Sequence, residues 1–407
     1  MISRKCFTKP PEIAKNHDNI NKELVVYKGD KICKTDDNFY MIVQKLGKGM
    51  YGQVFRCVDH YGEEFAIKIT KNDMQHFNAE INEVRILDFL AKTDQTKYFP
   101  KIHDKFFYKN HFCIVMELNY KNLYKFNKSL KFTGLPPIFV REVARQTLEA
   151  LSALNKYNII HGDIKPENIC LKSDISSQIQ LIDFSTSAIK QSCENFYAQS
   201  RFYRAPETIL GIPYTSSIDM WSFGCVIYEV VVGSPLFPGK DNFDQIHLIN
   251  EFCENGIPKI MLDQGVNTKK YFHKENENYI KRVNENKFTI YQAIQNIETA
   301  VKDPQLANLI SNFIFKCLSI LYLHRETPQK MLEHDLFKHI FKEGKDYARN
   351  FHEHSLPIFI KFNRRFGESH NNDVRLEYQN LRKFTDEAYK VENPSKRNSS
   401  EKNSIDK

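Results

Sequence analysis

No two cysteines in this chain have the Cys-x-x-Cys spacing used to grip zinc or to run thiol–disulfide exchange. The nine present, Cys6, Cys33, Cys57, Cys113, Cys170, Cys193, Cys225, Cys253 and Cys317, are scattered, several inside apolar runs. That pattern fits buried thiols in a reducing compartment and argues against a disulfide framework. No apolar run approaches the ~18 residues of a membrane helix. Residues 1–21 lack the apolar stretch of a secretion signal. A soluble intracellular protein, of the cytoplasm and/or nucleus, is therefore expected. The net charge is +8, yet there is no long unbroken basic run. Helix-turn-helix, zinc and stacking-aromatic patterns are also missing, so nucleic acid is not the expected partner. The charge excess reads as a solvated surface that favours phosphate-bearing ligands. There is no internal repeat.

The 407 residues, 41% of them hydrophobic, are enough for one large domain or two lobes plus tails. Their chemistry concentrates in the octet His-Gly-Asp-Ile-Lys-Pro-Glu-Asn at 161–168, with Asp183 and Phe184 fifteen residues beyond it. Asp163 can take a proton from an incoming hydroxyl. Asn168 and Asp183 offer oxygens to Mg²⁺, and Lys165 lies between them, placed to meet a transferred phosphoryl group. A lone Asp–Asn pair would mean little; the ordered set is specific.

Upstream, residues 40–43 read as a strand, followed by Gly47, Lys48, Gly49 and Gly52. Glycines let a backbone approach phosphates and point N–H groups at them. Val54, Cys57 and Val58 follow as strand formers, where a dinucleotide-binding turn would need a helix. Residues 65–69 form an apolar strand carrying Ala66 and Lys68. A lysine there is costly without a counter-charge. It is either an edge residue reaching for water or a bridge between ATP phosphates and a glutamate. A helical stripe through Ile81, Val84, Leu87 and Ala91 supplies Glu83, with Glu80 the competing candidate one turn earlier. The apolar strand 112–118 passes Met116 and ends at Glu117 and Leu118, which suits a hinge whose backbone reads an adenine edge.

Downstream, a helix is expected at about 139–157, with short strands at 169–171 and 179–182. A polar segment, 185–200, is closed by Ala205-Pro206-Glu207, and a very apolar helix runs from Asp219 through Val232. Residues 253–303 read as irregular, 306–323 as helical, and the region from Arg325 through Phe337 as a last small helix. Residues 1–38 are a polar extension whose last part packs on the next unit. Residues 341–407 are a polar tail, with 391–407 expected to be disordered.

This order of parts resembles a eukaryotic protein kinase over roughly residues 39–340. Three stretches, Asn-Leu-Tyr-Lys-Phe at 122–126, Gln-Ser-Arg-Phe-Tyr-Arg-Ala-Pro-Glu at 199–207 and Ile-Asp-Met-Trp-Ser-Phe-Gly-Cys at 218–225, resemble the dual-specificity tyrosine-regulated (DYRK) family of the CMGC group. The resemblance implies an α+β, two-lobed fold. A small antiparallel sheet lobe with one helix (39–117) would precede a larger, mostly helical lobe (118–340). It implies an enzyme using ATP and Mg²⁺ to phosphorylate Ser/Thr of protein substrates, with a monomer expected and no membrane partner. Asp163 becomes the catalytic base and Lys165 the γ-phosphoryl contact. Asn168 and Asp183 become the metal ligands, and Lys68 pairs with Glu83 and the α/β-phosphates. Gly47, Lys48, Gly49, Gly52, Val54, Ala66, Met116, Glu117 and Leu118 line the nucleotide site. Tyr197 falls where these kinases autophosphorylate, with Arg201 placed to hold the phosphate and Arg204 adding a second contact. Glu207 is expected to bridge to Arg325.

Four positions depart from the pattern. Gly162 stands where kinases commonly carry Arg and this family Cys. Ser185 replaces Gly after Asp183-Phe184, and on backbone freedom alone Ser185→Gly should be neutral or favourable. Met116 replaces a usual Phe, and Leu321-Tyr322 replaces Asp-Pro before Arg325. The alternative class is a pseudokinase scaffold. Its mark is loss of Lys68, Asp163 or Asp183; all three are present, and Ser185 is its main support.

Overall fold

Alternating apolar residues in the first third of the chain build one antiparallel six-stranded sheet of order β1-β2-β3-β4-β6-β5. Its strands are β1 (Lys31–Cys33), β2 (Phe39–Lys48), β3 (Gly52–Val58), β4 (Glu64–Thr70), β5 (Ile102–Tyr108) and β6 (His111–Glu117). In this computed structural model the described residues are 5–8, 17–35, 37–173, 177–189, 198–253, 255–275, 278–280 and 288–339. Tyr40, Ile42, Phe55, Cys57, Ile67, Ile69 and Val115 form the core of one sheet face. Leu24, Val26 and Ile32, from the segment read as an extension, belong to the same core, and β1 is the sheet's edge strand.

Helix α1 (Met74–Leu90) carries the expected Ile81, Val84 and Leu87 stripe and ends one residue before Ala91. Asp73 caps it by accepting the Gln75 N–H at 3.0 Å, a contact worth about 1 kcal/mol to a helix N-terminus. Lys22 of the preceding segment binds that same Asp73 at 2.6 Å, and Glu23 binds Lys48 at 2.7 Å. The N-terminal segment thus ties the glycine-rich turn to the start of α1.

The second lobe is helical. It is built from α2 (Leu123–Ser129), α3 (Pro137–Lys156), α4 (Pro206–Leu210), α5 (Ser217–Val232), α6 (Asn242–Phe252), α7 (Lys259–Gln264), α8 (Thr268–Tyr271), α9 (Ile290–Val301) and α10 (Pro304–Cys317). Helix α5 is buried almost all round, which is why its sequence shows no polar stripe. Short strands β7 (Ile159–Ile160), β8 (Ile169–Leu171), β9 (Ile179–Leu181) and β10 (Ala188–Ile189) frame the loop after α3.

Two expectations are corrected here. The stretch 253–303 is not irregular throughout, because it contains α7, α8 and α9. Helix α9 is nucleated by a Thr289/Gln292 capping box and carries an apolar stripe of Ile290, Ala293, Ile294 and Ile297, of which Ala293 and Ile297 are fully buried. Helix α10 stops at Cys317 rather than running to 323, and a 3-10 turn at Tyr322–His324 follows. The eight cysteines described are all free; Cys193 lies outside the described residues. No described helix is long and apolar enough to cross a membrane.

Candidate active site

Lys68 sits in β4 with its side chain pointing into the gap between sheet and helix, 7% exposed. Its Nζ lies 2.6 Å from Glu83 Oε2, 2.8 Å from Glu80 Oε1 and 3.3 Å from Asp183 Oδ1. Residues three apart on a helix share a face, so α1 delivers both glutamates together. The two candidates weighed from the sequence thus meet the same ammonium. Glu83 is the more fully engaged, since its Oε1 also accepts the Phe184 N–H at 2.9 Å. Burial works to lower the Lys68 pKa, but Asp183, Glu80 and Glu83 outweigh it and hold the group well above the ordinary lysine range.

Asp163 is held by three donors: Lys165 Nζ at 2.5 Å, the Ser200 N–H at 3.0 Å and Asn168 Nδ2 at 3.2 Å. Lys165 also donates to Ser200 Oγ at 3.0 Å. Burial pulls the Lys165 pKa down, and the neighbouring Asp163 more than reverses it. The loop beneath is fixed from α5, where Asp219 accepts the N–H groups of His161 (2.8 Å) and Gly162 (2.9 Å). His161 Nε2 faces the Ile182 carbonyl at 3.2 Å and so donates, while Nδ1 accepts the Asp163 N–H at 3.2 Å. That assigns the neutral Nε2–H tautomer. Gly162 has φ +75°, and a Cβ there would lie 2.9 Å from the Thr186 carbonyl. Both facts favour glycine.

Asp183 adopts φ +68°, a left-handed conformation uncommon for a side-chain-bearing residue. Burial acts to raise its pKa; the Lys68 charge, the Ser185 hydroxyl and the Lys165 charge hold it down at about 2. Ser185 Oγ donates to Asp183 Oδ1 at 2.6 Å. A hydroxyl with so specific a partner overturns the expectation that Ser185→Gly is neutral.

The oxygens named from sequence as metal ligands fit that chemistry. Asn168 Nδ2 is turned to the Asp163 carbonyl at 2.9 Å, which fixes the amide and leaves Oδ1 as its acceptor. Asp183 gives Oδ1 to Lys68 and Ser185, and no described group donates to its Oδ2. An amide oxygen plus a carboxylate oxygen is a sparse, hard set of the kind Mg²⁺ takes when phosphates and waters complete its shell.

Val54, Ala66, Met116 and Leu118 meet in one apolar cluster with Leu46, Val84 and Ile114. The Glu117 N–H is spent on the Lys101 carbonyl at 3.1 Å. The Glu117 side chain turns away to Lys172 and Gln180, bracing the hinge. In the glycine-rich turn, Gly49 N–H bonds the Gly52 carbonyl at 2.9 Å. Added Cβ atoms at Gly47 and Gly49 would meet open space. At Gly52 one would lie 2.3 Å from the Ile69 carbonyl, so Gly52 is required by close packing on β4. The Lys48 ammonium is taken by Glu23. Across the mouth, Lys125 of α2 donates to the Leu46 carbonyl at 2.6 Å, a contact sequence reasoning missed because it joins residues 79 apart.

Arg201 donates to the Lys240 carbonyl, and Arg204 is buried against the Ala198 and Gln199 carbonyls and Asn242. Tyr197 lies outside the described residues. The expected Glu207–Arg325 bridge is present, at 2.6 Å and 3.2 Å.

Comparison with known proteins agrees with this geometry. A family profile described as protein kinase domain matches residues 40–337. The chain is 41% identical over 338 residues to a probable dual specificity protein kinase YAK1 homolog of Encephalitozoon cuniculi, covering 83% of each chain. It is 38% identical over 277 residues to the dual specificity protein kinase YAK1 of Saccharomyces cerevisiae, covering 67% of this chain and 34% of that one. It is 36% identical over 335 residues to the DYRK-family kinase pom1 of Schizosaccharomyces pombe, covering 80% of this chain and 29% of that one.

Proposed function

The chain belongs to the protein kinase family, in the DYRK-like branch of its CMGC group, and from that premise we infer how its cleft works. It is an ATP-dependent protein kinase. The observation that carries the finer reading is the convergence of Lys68, Asp163, Lys165, Asn168 and Asp183 on one cleft. The acceptor is a Ser/Thr hydroxyl of a protein substrate, whose proton passes to Asp163 as the oxygen attacks the γ-phosphorus and the bond from that phosphorus to the β–γ bridging oxygen breaks, releasing ADP. Lys165, already beside Asp163, offers positive charge to the phosphoryl group in transit. Lys68 holds the α/β-phosphates, anchored from behind by Glu83. Asn168 Oδ1 and Asp183 Oδ2 would hold Mg²⁺, which would supply positive charge against the phosphates. The Leu118 backbone, with Val54, Ala66 and Met116 around it, receives the adenine. A scaffold without catalysis finds no support, since Ser185 is integrated into the site rather than damaging it.

Tyr197 is the proposed switch. A phosphate there, with about −1.5 to −2 charges, would order the segment through charge-assisted hydrogen bonds to Arg201 and Arg204. Gly162 offers no guanidinium for a phosphothreonine, so Thr186 should need no phosphate. Recombinant protein made without other kinases should carry phosphate on Tyr197. Asp163→Asn protein should not, and Tyr197→Phe should lose most activity. Intact mass and peptide mapping test this; an active enzyme with unmodified Tyr197 would refute the switch.

Two further results are expected at this site. Ser185→Gly removes a hydrogen bond to a charged group, worth about 1.5–3 kcal/mol, so the Mg²⁺ concentration for half-maximal activity should rise by about 10- to 100-fold. A Mg²⁺ titration unchanged from wild type would make the 2.6 Å contact incidental. Met116 is unbranched and deformable, so inhibitors extending past it should bind better here than to Phe-bearing relatives. Met116→Phe should weaken them selectively, and equal affinities in both forms would count against that reading.

A further inference from the structure

Glu80 is 0% exposed, one turn before Glu83 on the same face of α1. Its Oε1 lies 2.8 Å from Lys68 Nζ, an ion contact without the directed geometry of the 2.6 Å bond to Glu83. Its Oε2 has no hydrogen-bond partner among the described residues. A fully buried carboxyl with one free oxygen is costly. Nothing in the packing of α1 requires it, because the helix already buries Val84, Ile86, Leu87 and Leu90.

The division of labour between the two glutamates is unequal. Glu83 spends one oxygen on Lys68 and the other on the Phe184 N–H. Glu80 meets Lys68 through Oε1 and otherwise faces Glu83. An ammonium has three N–H groups. Glu83 takes one, Asp183 takes another through a longer 3.3 Å contact that nucleotide phosphates would share or displace, and Glu80 stands where it can hold the third.

We propose that Glu80 is a second positioning carboxylate for Lys68, holding the ammonium in the cleft alongside Glu83 and in its place when Glu83 is withdrawn or removed. The inference rests on the assignment of Lys68 to the phosphates. Charge accounting supports it. Burial, then the proximity of Glu83, drive the Glu80 carboxyl well above the ordinary carboxylate range, against the pull of Lys68. With Glu83 neutralised, the same position can carry the negative charge that Lys68 requires.

The test is a double-mutant cycle on the full chain, with kcat, KM for ATP and thermal midpoint measured for Glu80→Gln, Glu83→Gln and the double variant, beside Lys68→Met. Glu83→Gln should lower kcat by about tenfold, Glu80→Gln by about threefold, and the double variant by more than about 300-fold, well beyond the product of the singles. The excess should fall on kcat more than on KM. Glu80→Gln should also raise the thermal midpoint by removing a buried acid, whereas a purely structural residue would lower it. A double variant equal to the product of the singles, or Glu83→Gln alone as inactive as the double, would overturn the proposal. If instead Lys68→Met transfers phosphate at the native rate, the assignment of Lys68 itself fails. The two failures are therefore distinct.

Discussion

Asp163→Asn should slow phosphoryl transfer by roughly 10²–10⁴-fold, the range of a positioned general base. The fold should survive, because the Ser200 N–H can still be met by the amide oxygen and Asn168 keeps its bond to the backbone carbonyl at position 163. The variant places a donor where Asp163 Oδ2 now accepts from Lys165 at 2.5 Å, so Lys165 should also lose its fixed position. Asp183→Asn should be comparably inactive by a different route. Its Oδ1 can remain with Ser185 and Lys68, but its second oxygen becomes an N–H₂ that cannot ligate a cation. The two variants separate by readout. Asp183→Asn should lose Mg²⁺-dependent nucleotide binding, measured by calorimetry with ADP. Asp163→Asn should keep it. Near-native transfer by Asp183→Asn at saturating Mg-ATP would show the metal assignment to be wrong.

The residues of this site were legible in the sequence because phosphoryl transfer uses a fixed order of side chains along the chain, and order survives without coordinates. The glycine-rich turn, Lys68, Asp163, Asn168 and Asp183 could be read that way. What could not be read is how their oxygens and hydrogens are shared. The contest between Glu80 and Glu83 looked exclusive in one dimension, yet a lysine with three N–H groups accepts both. Ser185 looked like a restriction of backbone freedom, and its effect turns on a hydroxyl 2.6 Å from the metal carboxylate. Gly162 looked like a missing arginine; in three dimensions it is a positive-φ residue against the Thr186 carbonyl. In the fold, most long stripes were read, whereas α9 was overlooked because the stretch around it is rich in Asn and Lys, although Ile290, Ala293, Ile294 and Ile297 have helical spacing. That the last part of the N-terminal extension packs on the sheet was expected; that Leu24, Val26 and Ile32 are the residues that do so was not legible, since so short an apolar patch carries no periodicity.

The largest stability effect is expected far from the cleft, at Arg325. Its side chain and that of Glu207 are both 0% exposed. The guanidinium meets the carboxylate through two bonds, at 2.6 Å and 3.2 Å. It also donates to the Ser217 carbonyl at 2.8 Å and the Ser319 carbonyl at 3.1 Å, and lies 5.2 Å from the Trp221 ring centroid. One side chain therefore joins α4, the start of α5 and the turn after α10. Leu321 and Tyr322 stand where the family carries Asp-Pro, and the turn they form still delivers Arg325 to Glu207. The gain from such a pair is modest, because both charges were taken out of water. Removing one partner is different, since the other is left buried and uncompensated. Arg325→Ala should cost about 3–5 kcal/mol. The thermal midpoint should fall by roughly 10 °C. Replacing both residues, as Glu207→Leu with Arg325→Met, should recover most of the loss, because no stranded charge remains and the volume is kept. Denaturant melts of the three proteins decide the matter. If Arg325→Ala were within about 1 kcal/mol of wild type, or the double variant less stable than the single, the pair would owe its place to something other than charge compensation.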